Sequence, residues 1–363
     1  MAYLPLSTAN LPDPAIDPAK GSSPEDHFSA DIWSGNSASS SGDSTVGQVI
    51  SSGFQPDWIW TKERNNSGNH KLFDTVRGLT KQLSSDGTGA EETRTGDDIV
   101  AVSASGYTLG TNTGLNYNGR TYVGWSWKAG GTGVSNTDGS ITSTVSANTT
   151  SGFSIVSWTG NGTAGATIGH GLGAVPSFII VKNRGTSGTE NRAWTIYHSA
   201  LGATKYIEFS NSAEDTGTNR WNDTAPTSSV FTVGDGSNGN ENGDSHIAYC
   251  FADVEGFSKF GSYQGGSDPF VYLGFEPAMI MFKRTTGTAT HWAIRDNARK
   301  TDNPNRNTLY PSKIDTEYTG TAHDIDFLSN GFKIRNDDGL FDASATYIYA
   351  AWAKTPFKYG TGV

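Results

Sequence analysis

The side chains in this 363-residue sequence that are spaced for chemistry are few, and each has a plainer structural reading beside it. The single cysteine, Cys250, sits inside the run Ser245-His246-Ile247-Ala248-Tyr249-Cys250-Phe251. It has no intrachain disulfide partner, and in that setting it reads as a small buried apolar residue instead of a nucleophile. Gly169-His170-Gly171-Leu172-Gly173 has the look of a phosphate loop, but it leads toward a strand and not a helix N-terminus. The backbone donors that would hold an anion are therefore missing, and a turn is expected. The Asp-, Asn- and Glu-rich loop at 235–244 offers oxygen ligands for calcium, yet its spacing fits no EF-hand, and a solvated turn is the simpler reading. Asp97-Asp98, Asp324 with Asp326, and Asp337-Asp338 are carboxylate pairs of the kind glycosidases use, although spacing alone does not give their separation. No G-x-S-x-G, H-E-x-x-H, Walker A or C-x-x-C pattern occurs, so no catalytic, cofactor or metal residue is assigned and the chain is read as non-enzymatic. Trp221 and Tyr117 remain. Both fall in stretches read as loops, without counterparts elsewhere, beside polar neighbours. An apolar ring among hydroxyl-binding groups is a candidate glycan platform, and a cap over the core is the alternative.

The elements that must position these residues recur three times. G-F-Q-P-D-W-I-W-T-K-E-R at 53–64 returns as G-A-V-P-S-F-I-I-V-K-N-R at 173–184 and as G-F-E-P-A-M-I-M-F-K-R at 274–284. Each copy places a proline (Pro56, Pro176, Pro277) six residues before a lysine (Lys62, Lys182, Lys283). The apolar run between them is too short for a helix and lacks polar alternation, which predicts a strand buried on both faces with proline at its entrance. Trp127, Phe251 and Trp352 follow their prolines by 71, 75 and 75 residues, and Tyr107, Phe231 and Phe332 precede them by twenty. Phe28 to Asn36, Phe153 to Asn161 and, more weakly, Phe257 to Gly266 give a repeated opening strand. Such constant spacing marks an internal repeat. Residues 70–74 are read as a strand despite a helical spacing of apolar residues after Leu72, because the matching segments at 194–197 and 292–295 have strand character.

Composition agrees. Forty-five glycines, many aromatics and only 17% charged residues describe an all-β chain with frequent turns. The formal net charge of -10 argues against nucleic-acid binding, which needs clustered Lys and Arg. No apolar run has the length of a membrane span and no secretory leader is recognised, so membrane insertion is not expected and synthesis in a cytoplasm is.

The expected organisation is all-β: three tandem antiparallel β-sandwich, jelly-roll-like modules behind an extended N-terminal arm. Residues 1–26 hold five prolines and read as an arm that is either free or strapped to a partner. Residues 27–130 form the first repeat, 131–151 a Gly/Ser/Thr linker, 152–256 the second repeat and 257–363 the third. Asn-Asp-Asp-Gly at 336–339 is a hairpin signal.

The Asp-Pro-rich start, Trp33-Ser34-Gly35-Asn36, the 53–64 stretch through Leu72-Phe73-Asp74-Thr75-Val76-Arg77-Gly78, and the closing Tyr347-Ile348-Tyr349-Ala350-Ala351-Trp352-Ala353-Lys354-Thr355-Pro356-Phe357 resemble tandem β-sandwich virion proteins of tailed bacteriophages, especially those of marine bacteria and cyanobacteria. The resemblance covers nearly the whole chain, and copies two and three match more loosely. It implies a tail-fibre, appendage or head-decoration component on the particle surface, made in the host cytoplasm. It further implies attachment to other virion proteins, tail or capsid, through residues 1–26, a homo-oligomeric state, and as alternatives a host-surface glycan adhesin or, less in keeping, a polysaccharide depolymerase.

Overall fold

A computed structural model describes residues 11–37, 47–95, 97–188, 191–210, 212–266, 268–335 and 344–360. The hairpin signal at 336–339 and the pair Asp337-Asp338 lie outside them. The chain is almost entirely antiparallel β-structure, with helices of no more than four residues among the described segments.

Each copy builds the same four-stranded inner sheet, in which the opening, closing, proline and return strands lie side by side. In the first copy these are Phe28–Ser34, Thr121–Trp127, Trp58–Glu63 and Lys71–Asp74. The third uses Ser258–Gln264, Thr346–Pro356, Phe275–Arg284 and Ala293–Asp296. The second uses Phe153–Thr159, Ser245–Phe251, Phe178–Asn183 and Thr195–His198 within a larger eight-stranded sheet. Register matches as well as order. Trp58 faces Trp127 and Asp74, Phe178 faces Phe251 and His198, and Met279 faces Trp352 and Asp296. In the third copy the strand runs through Pro277, and the register shifts on either side of it, because proline offers no ladder donor.

A smaller outer sheet covers one face of each inner sheet. It pairs Val49–Ser51, Gly106–Leu109 and Ile99–Ser103 in the first copy, Ala166–Gly169 and Val230–Val233 in the second, and Phe270–Tyr272, Gly331–Ile334 and Ile325–Leu328 in the third. Alternation along the proline strand assigns each ring to a layer. Ile59 points into the first sandwich with Trp33, Tyr107 and Tyr122, and Ile179 and Val181 point into the second with Trp158 and Phe231. Their neighbours Trp58, Trp60, Phe178 and Ile180 point the other way, into a cluster that all three copies share.

That shared cluster is the centre of the molecule. Trp127, Phe251 and Trp352, the residues in the repeated slot, meet one another there. Their ring centroids are 6.2, 5.3 and 5.4 Å apart, at interplanar angles of 67°, 69° and 71°. Near-equal edge-to-face contacts among three equivalent rings are the mark of approximate threefold packing. Such pairs contribute about 0.5–1.5 kcal/mol each beyond the roughly 1.5–3 kcal/mol from burying each side chain. Trp58 stacks on Tyr249 of the next copy at 4.1 Å. The inner sheets therefore line a common axis and the outer sheets face away from it.

Two expectations are corrected. Part of the 131–151 stretch is not a linker: Val134–Asn136 and Ser143–Asn148 are strands added to the edge of the second inner sheet, and Val145 is buried in its sandwich. Alternating Val134, Val145 and Ala147 among small polar residues suffices for edge strands, which need only one covered face. Nor is residues 1–26 an extended arm over its described part. Ile16 is fully buried in the shared core, and Pro18–Lys20 and Pro24–Asp26 form single 3-10 turns.

Candidate functional site

The repeated residues act at the seams between copies. Trp194 donates its indole N–H to the Ser84 carbonyl of the first copy (2.8 Å), and Trp292 donates to the Glu208 carbonyl of the second (2.9 Å). His70, in the equivalent position of the first copy, bonds the Tyr310 carbonyl of the third through Nε2 (3.0 Å) while its Nδ1 accepts from Trp60 (2.8 Å). The cycle thus closes. The lysines that follow the prolines are buried at the same places: Lys182 donates to the Thr88 carbonyl at 3.2 Å and Lys283 to the Ser210 carbonyl at 3.1 Å. Burial pulls both ammonium groups down to about 7, and Lys62 to about 8.

Two seams also carry a buried ionic chain. Asp74 pairs with Arg77, which bonds Glu91 at 3.1 Å, and Glu91 reaches Arg184 of the second copy at 2.7 Å. Tyr249 of that copy donates its hydroxyl to Asp74 at 2.8 Å. Between the third and first copies, Asp296, Arg299, Glu317 and Arg64 repeat the chain, with the Trp125 indole N–H donating to Asp296 at 2.9 Å. At the remaining seam, His198 and Leu201 stand where the Asp and Arg would be, and His198 Nε2 bonds the Tyr349 carbonyl at 3.0 Å.

The chemical candidates fall outside these seams or into plain structural roles. Cys250 is fully buried in the second sandwich, and burial pushes its thiol far above the ordinary range. His170 is buried, accepts from the Leu172 N–H and bonds the Thr227 carbonyl at 3.1 Å, so the glycine-rich stretch is a turn. The 235–244 loop contains the helical turn Ser237–Asn240, and its Asn240 side chain is tied into the fold. Asn240 accepts from the Asn161 N–H at 3.0 Å and donates to the Gly234 carbonyl at 2.9 Å. Asn116 and Asn36 form the same reciprocal pair in the first copy. Among the described residues, no group of three His, Cys, Asp or Glu side chains is placed to hold a metal ion. Asp98 is bridged by Lys71 and Arg94, Asp324 by Arg306 and Asp326 by Arg335, while Asp97 accepts from Thr95. Asp31 differs: burial raises its carboxyl to about 6, and its partner is the Ser29 hydroxyl at 2.7 Å.

The two glycan candidates are not brought together. Trp221 ends the helical turn Thr218–Trp221 and is only 2% exposed, edge-on to Tyr197 at 5.7 Å. Its ring is spent on the second sandwich core and offers no face to a sugar, which corrects the loop assignment. Tyr117 is half-buried with the Arg120 guanidinium 4.4 Å over its ring. Beside Trp221, however, Arg220 lies 4.7 Å over the Tyr206 ring, and the Tyr206 hydroxyl donates to Asp215 at 3.0 Å. With Asn191 and Glu208 these residues line a cleft of about 370 Å³.

The N-terminal segment is seated at the junction of the second and third copies. Leu11, Pro12 and Pro14 lie in a groove of about 470 Å³ against Val254 of the second copy and Tyr272 and Phe357 of the third. Ala15 donates to the Glu255 carbonyl at 3.2 Å, and Asp17 accepts from the Tyr359 hydroxyl at 2.6 Å. Hydrogen bonds from Lys20 and Lys358 hold the Asp13 carboxyl down at about 2. Gly256 permits the approach: it has φ +76°, and an added Cβ would lie 2.6 Å from Pro14.

Residues 23–356 match the family described as a domain of unknown function (DUF7483), and the chain belongs to that family. No curated protein and no solved structure matches it.

Proposed function

We propose that this member of the family is a non-enzymatic structural protein on the surface of a bacteriophage particle, a tail fibre, appendage or capsid decoration present in several copies. It is held to other virion proteins at its N-terminal end. The observation that supports this most is where the recurring side chains of the repeat go. Its rings, lysines and carboxylates close three copies around one core, leaving a body with its outer sheets turned outward. Residues 11–26 pack against that body, so the attachment proposed for residues 1–26 is tested on its first ten residues. A chain starting at residue 11 should fold, shown by an unchanged melting curve, and be missing from purified particles. Normal incorporation of that chain would overturn the attachment, and absence of the intact protein from particles would overturn the virion assignment.

A second reading, adhesion to host-surface glycans, is favoured by the Tyr206–Arg220 cleft, which combines an aromatic ring with carboxylate and amide groups suited to hydroxyls. It expects glycan-array binding by the intact protein that Tyr206→Ala abolishes. An array without binding removes it.

A further inference from the structure

The first sandwich departs from the second at three positions that face one another. Asp31 stands directly opposite Gly124, as Val156 stands opposite Ala248. Tyr107, twenty residues before Trp127, takes the place of Phe231. In the second copy all three residues are apolar and buried in the sandwich. In the first they are a carboxylate, a bare backbone and a phenol. The alternation that turns Trp33 into the first sandwich turns Asp31 the same way. The Tyr107 hydroxyl ends over Gly124, against the place a Cβ would take, so a methyl like that of Ala248 would displace it. Opposed Cβ positions of an antiparallel pair lie about 4.5–5.5 Å apart, which puts the hydroxyl and the Asp31 carboxyl in one small space.

The fold satisfies neither group in full. Tyr107 is 0% exposed, and among the described residues nothing bonds its hydroxyl, although a buried phenol ordinarily has a partner. The Asp31 carboxyl has the Ser29 hydroxyl at Oδ2, and burial raises it to about 6, so at neutral pH it is a poorly solvated anion. Asp31 and Ser29 line a cleft of about 490 Å³ whose other walls are Ser51 and Ser52 of the first outer sheet and Asn297 of the third copy. Glu25 and Asp26 stand in the same cleft, and Asp26 accepts from Ser23 N–H at 2.6 Å. Lys354, the basic residue among its walls, is paired with Glu276 at 2.9 Å. The cleft thus presents acceptors and negative charge, which draw a cation. A calcium ion takes about six or more converging oxygens, whereas among the described residues no three His, Cys, Asp or Glu side chains converge. A guanidinium fork uses both carboxylate oxygens, one of which Ser29 holds. An alkylammonium group, a point charge with three separate donors, suits one carboxylate among hydroxyls.

We propose that this cleft binds an alkylammonium group, either a lysine side chain of a protein partner or a free amine, anchored on Asp31 with the Tyr107 hydroxyl at its inner end. The site belongs to the chain itself and does not depend on the virion assignment. Titration of the intact protein with n-butylammonium chloride, followed by NMR of labelled aspartate carboxyls, tests it. Saturable binding is expected, and the bound cation should make Asp31 titrate at a proton concentration at least about tenfold higher. Asp31→Asn should abolish binding. Tyr107→Phe, which installs the ring of the second copy, should weaken it about tenfold with an unchanged melting curve. Tetramethylammonium chloride, which has no N–H donor, should bind at least about tenfold more weakly. A peptide carrying one lysine that binds more tightly than butylammonium assigns a protein partner, and one that binds no more tightly assigns a free amine. The absence of a saturable response overturns the proposal, as does displacement of butylammonium by an equal concentration of calcium chloride. If Asp31→Asn is poorly folded, Tyr107→Phe decides, and undiminished binding by that variant overturns the site.

Discussion

The seam between the first and second copies and the seam between the second and third join equivalent surfaces by different chemistry. One buries Asp74, Arg77, Glu91 and Arg184 in a chain of ion pairs closed by Tyr249, and the other holds neutral His198 and Leu201. Backbone order, register and the indole-to-carbonyl bond are the same at both. The lesson is that the ion pairs are not what makes the copies associate: apolar rings do that at every seam. A buried pair gains about what its desolvation costs, so its replacement by fitted neutral residues is near neutral, whereas losing one partner strands a charge.

The sharpest way to break this comparison is to strand the charge. Arg77→Leu should lower stability by about 3–5 kcal/mol in urea unfolding, because the Asp74 carboxylate stays buried without its guanidinium. Asp74→His added to it rebuilds the residues of the neutral seam and should recover most of that loss. A double variant no more stable than Arg77→Leu alone would show that the seams are not interchangeable.

Acid should discriminate the seams next. Burial lowers His198 to about 4, and its ring is committed as a neutral tautomer, accepting from Ala200 N–H at Nδ1 and facing a carbonyl at Nε2. Its folded pKa lies below the unfolded value near 6.5, so the unfolded chain binds more protons between these values. Stability from this group is therefore full above about 6.5 and is lost as pH falls toward 4, by roughly 3 kcal/mol at 1.36 kcal/mol per unit. The stability–pH curve of His198→Gln should be flatter across that window, and a parallel curve would remove His198 from the account.

A smaller effect isolates the hydroxyl contact of the ionic seam. Tyr249→Phe removes the donor to Asp74 and should cost about 1.5–3 kcal/mol, the range for a hydrogen bond to a charged group. Smallest of all, Val49→Ser on the exposed edge of the first outer sheet should change stability by no more than about 0.5 kcal/mol.

Much of the fold was legible in the sequence, since the proline-to-lysine runs, the twenty-residue aromatic spacing and the repeated openings all mark strands that exist. Even the second layer was implied: a strand such as Trp58-Ile59-Trp60, with rings on one face and an aliphatic side chain on the other, needs two apolar surroundings. What spacing could not reveal is that the second surrounding is shared, because contacts such as Trp127 to Trp352 join residues 225 apart without any local signature. The stretch at 131–151 misled because edge strands tolerate Ser, Thr and Asn. Trp221 misled for a related reason: a tryptophan flanked by Asn and Asp looked exposed, while the turn that carries it folds the ring inward and presents Arg220 instead.

The claim on which everything rests is that three copies make one cooperative body. Scanning calorimetry tests it most directly. One transition is expected, with a calorimetric enthalpy of about 250 kcal/mol, at about 0.7 kcal/mol per residue near 60 °C, equal to the van't Hoff enthalpy. Separate transitions, or a calorimetric enthalpy near three times the van't Hoff value, would mean three modules that melt alone, and would contradict it.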